Sequence, residues 1–458
     1  MEYALVVIGS GSAAFAAGIE ARSQGATVAL VEAGVLGGTC VNVGCVPSKT
    51  LLVGAEIAQR ARKHPFDGIQ TSAGPSDLGA LVAQKDKLVA GLRRAKYADV
   101  AAKHGIEILQ GIASFTDGST VRVGDRIVRA RDAVVVATGA APAIPDLPGL
   151  EQVDYLTSTT AMALDALPSS LVVIGAGFVG VEQAQLFAHL GSRVALIGPL
   201  MRAAEPELTS LLDRALVDQG VQRCGTKAMR IERTPSGIRV DCEDGTTAEG
   251  SQLLIATGRS PRTADLGLDL AQVALDRNGA IVVDSAQRSS NPKVFAAGDV
   301  AGNPQFVYVA AAQGRIAARN ALNGSNEELD YTGLPHVAFT TPQLAWAGLT
   351  EPEATAAGFQ ADTRILPLDL VPRAIVNRVT EGAIKLVAET ATGRLLGVHV
   401  LAEQGGELML SATIALKAGW TVEQLATTWA PYLTMNEGLK LAAQSFTSSV
   451  ATLSCCAA

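Results

Sequence analysis

One pattern occurs twice in this chain and limits what it can fold into: a buried apolar strand, a glycine turn, a helix and a second strand. It reads YALVVIGSGSAAFAAGIEARSQGATVALVEAG from residue 3 and SSLVVIGAGFVGVEQAQLFAHLGSRVALIGP over residues 169 to 199. In the first copy Gly9, Gly11 and Ala14 fill the positions of a G-x-G-x-x-G/A turn, with Ser10 between the glycines. The first glycine permits a tight turn, the second lets backbone approach a pyrophosphate, and the third small residue lets helix and strand pack closely. Glu32, at the end of the second strand, is placed to accept hydrogen bonds from a ribose diol. Two such units predict two dinucleotide sites.

The second copy carries Gly175, Gly177 and Gly180, but the position equivalent to Glu32 is Gly198. Losing the acid removes a repulsion against a 2′-phosphate, and Arg202 follows closely enough to pair with one. NADPH is therefore favoured over NADH. Each unit leads to a strand ending in a similar turn: AVVVATGAAP, with Thr138 and Gly139, and LLIATGRSP from Leu253. NPKVFAAGDV at 291–300 then brings Gly298 and Asp299 to a strand end, as if the chain returned to its first domain. From about 336 the texture changes to hairpin-like apolar runs followed by helical periodicity, which predicts a separate α+β domain.

At 458 residues the chain exceeds one ordinary core, so several domains are expected. A net charge of −7 with scattered basic residues leaves no electrostatic footprint for nucleic acid and no polybasic membrane anchor. The apolar opening stretch has no basic leader and is broken by glycines, so it reads as strand and turn rather than as a signal or a span. A cytoplasmic location is the expectation. Six cysteines are too few to staple a chain of this length, and close pairs in a reducing compartment are more often catalytic or metal-binding.

Two of those cysteines, Cys40 and Cys45, lie in GGTCVNVGCVPSK, which also contains Gly38, Thr39 and Lys49. On one regular helix a C-x4-C spacing does not stack the thiols, so bridging them needs a distorted helix start, for which Gly44 supplies freedom. Strain of that kind makes a disulfide easier to reduce. Lys49, one turn beyond Cys45, is placed to hold positive charge near a thiolate or a flavin ring. Cys224 and Cys242 are expected to pack within the second unit.

This stretch resembles, at every fixed position from Gly37 to Lys49, the flavin-side motif of the pyridine nucleotide-disulfide oxidoreductase family, and the likeness covers essentially the whole chain. The resemblance implies an α/β fold of glutathione reductase type, with two doubly wound Rossmann-like domains and a C-terminal α+β dimerisation domain. It implies an FAD-binding domain over 1–145, an NAD(P)H-binding domain over 146–265, a central part over 266–335 returning to the FAD domain, and a dimerisation domain over 336–458. FAD would occupy the first site and NADPH the second. Gly298 and Asp299 would contact the flavin's chain, Glu182 would face the nicotinamide and pair with Lys49, Cys45 would sit beside the flavin, and Cys40 would meet the substrate.

Members of the family that reduce disulfides carry a histidine near the carboxyl end, supplied by the partner subunit of a homodimer. Here the matching stretch, APYLTMNEG, has Tyr432 at that place, and no histidine follows His399. Tyrosine, with a reference pKa near 10, is a poor proton relay for thiol exchange. The chain also ends in LSCCAA, and the adjacent Cys455 and Cys456 suit capture of a soft metal ion better than a disulfide. Together these features, with QFVYVAAA and PYLTMNEGLKLAAQSF, resemble the members of the family that reduce Hg(II) to Hg(0). In those members a further tyrosine, matching Tyr97, lies at the metal pocket, and Cys40, Cys45, Cys455 and Cys456 hold Hg(II) delivered as a thiol complex. Many of them begin with a small metal-binding domain bearing C-x-x-C, whereas this sequence starts directly at the first strand. A thioredoxin reductase-like enzyme with a C-terminal dithiol shuttle and a non-catalytic soft-metal-binding flavoprotein are the rival readings.

Overall fold

A computed structural model describes residues 1–302 and 304–448. Its first sheet is built by β1 (Glu2–Ile8) and β2 (Val28–Glu32), joined by helix α1 (Ser12–Ser23). β1 pairs in parallel with β2 on one side and with Arg126–Val136 on the other, and Glu107–Gln110 extends the sheet beyond β2. The fifth parallel strand, Val294–Ala296, arrives from far along the chain and pairs with Val134–Val136. Such a sheet must be covered on both faces, and its central strands are accordingly continuous apolar runs. Leu5, Val7 and Val135 point to the face covered by α1 and the helix Val307–Asn323, and Val6, Ile8 and Val134 to the other.

The second sheet repeats the design. Ser170–Ile174 lies between Arg193–Ile197 and Gln252–Ile255, with Val221–Cys224 and Leu156–Thr157 at the two edges, all parallel. An antiparallel three-stranded sheet, Ala228–Thr234, Gly237–Cys242 and Thr247–Gly250, is inserted before its last central strand. Beyond Leu334 an antiparallel sheet of five strands, with Gln343–Gly348 and Leu395–Ala402 near its centre, carries helices including Met435–Gln444 on its buried face. Among the described residues no helix is long and apolar enough to cross a membrane.

Between the first two sheets run α2 (Gly38–Asn42), α3 (Cys45–Arg62) and α4 (Leu78–Arg93). The inner face of α3 carries Leu51, Leu52 and Ala55, which share one core with Val181, Ala184 and Leu186 of the helix Phe178–Leu190. This shared core fixes the cysteine segment against the second nucleotide unit.

Candidate active site

Both glycine turns have the backbone that the motif demands. Gly9 has φ +119° and Gly175 φ +106°, and a Cβ on either would lie 2.3 Å from the carbonyl oxygen of Ala137 or Ala256. A Cβ on Gly180 would come within 1.7 Å of the Gly175 oxygen, so only glycine allows this helix to sit on its turn. Ala14 is fully buried in α1 at the corresponding place. Gly11 and Gly177 cap α1 and the helix Phe178–Leu190 without a side-chain cap, and neither helix has an acid in its first turn. Both helix N-termini therefore keep unsatisfied N–H groups and positive dipole ends for a pyrophosphate.

Around the first turn, Ser10 is buried, donates to Glu32 Oε2 and accepts from the Gly37 N–H at 2.9 Å, while Glu32 Oε1 accepts from Gly34 N–H at 2.6 Å. Glu32 is thus held at the strand end by the loop that leads to the cysteines. Gly38 has φ +65°, and a Cβ there would collide with Gly11 Cα at 2.5 Å. The cysteine segment consequently lies directly on the first glycine turn. Thr138 donates to the Arg262 oxygen at 2.7 Å, and Gly139, with φ +70°, faces open space. Gly298 (φ +81°) donates its N–H to buried Gln313 at 2.7 Å. Burial pushes the neighbouring Asp299 carboxyl up, against Arg259 at 3.6 Å. Uncapped helix ends, a paired strand-end acid and a desolvated aspartate make a set of donors and acceptors that fits a flavin dinucleotide.

In the second unit Gly198 has φ +124° and lies against Gly175 and Ala176, so an acidic side chain there would strain the backbone. The Met201 N–H donates to Ala176 O at 3.0 Å, which ties the following segment, with exposed Arg202, to the glycine turn. An exposed guanidinium beside an acid-free turn fits a 2′-phosphorylated dinucleotide.

The cysteines do not share one helix. Cys40 lies on the short α2 and Cys45 is the first residue of α3, with the chain turning at Val43 and Gly44 between them. A Cβ on Gly44 would meet Thr39 O at 2.9 Å and Cys40 Cα at 3.3 Å, so glycine is what lets the two helix ends close on each other. Both thiols are free, Cys45 being the more exposed. A hydrogen bond from Cys40, the charge of Lys49 and its place at the start of a long helix outweigh burial and bring Cys45 down to about 7. Its hydrogen bond to Cys45, burial and the nearby thiolate push Cys40 well above the ordinary thiol range. Above about pH 7 the pair carries its negative charge on Cys45 and its proton on Cys40.

Lys49 Nζ is 2.6 Å from Glu182 Oε2 and 4.5 Å from the centre of the Phe339 ring. Glu182 is 6 % exposed, and its other oxygen accepts from Phe339 N–H at 3.0 Å. Tyr97 lies in a single π-helical turn, Arg94–Ala98, packed edge-on against Phe15 at 4.9 Å. Burial and the negative charge of the Cys40–Cys45 pair push its hydroxyl up, so this tyrosine lies in the field of the sulfur pair. Tyr432 is on the C-terminal domain, 49 % exposed in the turn before the helix Met435–Gln444, where Glu437 accepts from Leu433 N–H at 3.1 Å. Cys455 and Cys456 lie outside the described residues.

Sequence reasoning missed three neighbours of this group. Arg259 is 3.5 Å from Thr39 Oγ1, and its guanidinium also feels the Cys45 charge. Tyr308 donates to Pro335 O, and its hydroxyl is pushed up by burial and by Cys45. Phe339 covers Lys49. Arg259 follows the second ATG turn and Tyr308 sits in QFVYVAAA, so their motifs were visible, but their convergence on one thiolate was not.

Residues 3–314 match the family described as pyridine nucleotide-disulphide oxidoreductase, and residues 334–443 match its dimerisation domain. The chain is 50 % identical to a mercuric reductase of Streptomyces lividans over 99 % of this chain and 98 % of that one. It is 46 % identical to a mercuric reductase of Lysinibacillus sphaericus, over 99 % of this chain and 84 % of the relative. Among solved structures it is similar to the Cu(II) complex of the HOCl-induced flavoprotein disulfide reductase RclA from Escherichia coli, with TM-score 0.87 and 28 % identity over 98 % of this chain and 100 % of that one. The paired nucleotide turns, the thiol and thiolate between them and these likenesses lead to one assignment: the chain belongs to the pyridine nucleotide-disulphide oxidoreductase family.

Proposed function

We propose that this protein is an NADPH-dependent flavoenzyme that reduces Hg(II) to Hg(0), acting as a homodimer on Hg(II) held by thiols. The observation that carries the reading is the free Cys40–Cys45 pair on two abutting helix ends, with Cys45 drawn toward a thiolate, in a chain with Tyr432 where a disulfide reductase carries histidine. The mercuric reductases at 46–50 % identity over nearly the whole chain support the choice of metal.

The first glycine turn, Glu32, Thr138, Gly139, Gly298 and Asp299 would hold FAD, and Gly175, Gly177, Gly180 and Arg202 would hold NADPH. When bound, FAD supplies the two-electron link between the nicotinamide and the sulfurs. The residues of the chain do the rest. Glu182 and Lys49 join the nicotinamide side to the cysteine helix and keep a positive charge over Cys45. The Cys45 thiolate and then Cys40 take Hg(II) by ligand exchange from an incoming thiol complex, the Cys40 proton passing to the departing thiolate. Soft two-coordinate cations exchange sulfur ligands readily while binding them tightly. Cys455 and Cys456 of the partner subunit would deliver the metal, and Tyr97 and Tyr432 would line its pocket. In balance, the thiol-bound Hg(II), NADPH and one proton give Hg(0), NADP+ and two free thiols. Since Cys40 itself supplies the proton taken by the departing thiolate, no histidine is required for that transfer.

The test is stoichiometric. With FAD-loaded protein under anaerobic conditions, one Hg(0) trapped per NADPH oxidised is expected, and oxidation of NADPH without volatile mercury would refute the reading.

A further inference from the structure

A second pair of thiols, Cys224 and Cys242, lies in the second nucleotide unit, outside the Cys40–Cys45 site. Cys224 ends the strand Val221–Cys224, Cys242 ends the strand Gly237–Cys242, and Asp244 sits in the turn that follows. The two sulfurs and a carboxylate oxygen of Asp244 all lie within 4.8 Å of one another. Both cysteines are free and buried, at 7 % and 5 % exposure, whereas Asp244 and the turn around it are exposed. The sulfurs therefore lie just beneath a solvent-facing turn.

Packing alone explains a buried sulfur, since a cysteine behaves as a small apolar residue, and Ile231, Val240 and Ala248 share this core. It does not explain the polar groups gathered around the pair. Thr246 Oγ1 is 3.2 Å and Thr226 Oγ1 3.5 Å from Cys224 Sγ, and Thr246 also donates to Asp244 Oδ1 at 2.7 Å. Two segments, 224–226 and 242–246, thus bring two sulfurs, a carboxylate and two hydroxyls to one point where strands of two sheets end.

We infer that Cys224 and Cys242 form a second site for a thiophilic cation, taking Hg(II) between their two sulfurs with Asp244 at its rim. Two thiolates suffice for a soft cation that favours sulfur, whereas Zn(II) asks for four ligands and, among the described residues, three ligating side chains converge here. Binding breaks two S–H bonds, forms two S–Hg bonds and releases two protons to solvent, with no change of oxidation state. The place also matters: Cys224 O accepts from Gly198 N–H at 2.9 Å and Arg223 Nη2 donates to Gly198 O at 3.0 Å. The site therefore backs directly onto the strand end that faces the second nucleotide turn. It does not depend on the reduction reaction, because its readout is retention of metal rather than turnover.

The experiment uses the full chain with Cys40, Cys45, Cys455 and Cys456 replaced by serine, which leaves only this pair of thiols. FAD content and melting temperature establish that the variant is folded. After Hg(II) loading and gel filtration in excess free cysteine, native mass spectrometry is expected to find one Hg per chain, and Zn(II) treated alike is expected to be lost. Adding C224S and C242S is expected to abolish the retained Hg. Should that variant fail to fold, X-ray absorption on the first one decides, with two sulfur neighbours expected at the metal. No Hg retained, Hg retained without these cysteines, Zn(II) held in preference to Hg(II), or fewer than two sulfur neighbours would each overturn the site.

Discussion

The ammonium of Lys49 lies 2.6 Å from the carboxylate of Glu182, and this pair ties the helix that begins at Cys45 to the helix that rises from the second glycine turn. The carboxylate side is buried while Lys49 is 33 % exposed. Breaking a fully buried pair costs about 3–5 kcal/mol, and the exposure of Lys49 reduces the expected loss for Lys49→Met to about 1–2 kcal/mol. Glu182→Gln keeps an acceptor for the Phe339 N–H and should lose less. Chemical denaturation of the two variants beside the parent protein checks the order.

The ionisation of the pair gives a pH profile. In the reduced protein one thiol should titrate at about 7, present as thiolate above that pH and lost as pH falls through it. Ultraviolet thiolate absorbance reads this directly. Cys45→Ser should remove the transition. Cys40→Ala, which deletes the hydrogen-bond donor, and Lys49→Met, which deletes the positive charge, should each move it to higher pH.

Gly44 tests the closure of the two helix ends. Its Cβ would meet Thr39 O at 2.9 Å, so Gly44→Ala must move backbone beside Cys40. The expected cost is about 1–3 kcal/mol of stability, as for other overpacked sites, with a fall in Hg(II)-dependent turnover. Thermal melts and NADPH oxidation measure the two effects separately.

Gly180→Ala isolates the second nucleotide site. A Cβ 1.7 Å from Gly175 O must push the helix Phe178–Leu190 off its turn, while the first turn is untouched. FAD content should be retained, and the KM for NADPH should rise by roughly tenfold or more, about 1.4 kcal/mol or above. Equal loss of FAD would show that the substitution had spread to the first domain.

The nucleotide turns could be read from the chain because their demands are local. A positive φ at Gly9 and Gly175 and a vanishing side chain at Gly180 are conditions that only certain residues meet. The missing acid at Gly198 was also visible, and the structure supplies its cause in a backbone at φ +124°. The arrangement around the sulfurs was less legible. Helical spacing does not reveal that the chain breaks at Gly44, putting Cys40 and Cys45 on two helices. The π-helical turn that places Tyr97 against Phe15, and the approach of Arg259 and Tyr308 to the sulfurs, depend on contacts between residues far apart in the chain and carry no local signal. Cys224 and Cys242 looked like separate packing residues until the inserted sheet brought their strand ends together.

The central claim is that the electrons leaving this sulfur pair go to a metal rather than to a disulfide. The most direct measurement compares kcat/KM for NADPH oxidation by the FAD-loaded protein, under anaerobic conditions, with Hg(II) in excess low-molecular-weight thiol against glutathione disulfide and oxidised thioredoxin. The account predicts rapid oxidation with Hg(II), matched by trapped Hg(0), and little response to either disulfide. Rapid oxidation by a disulfide, with Hg(II) acting only as an inhibitor, would contradict it.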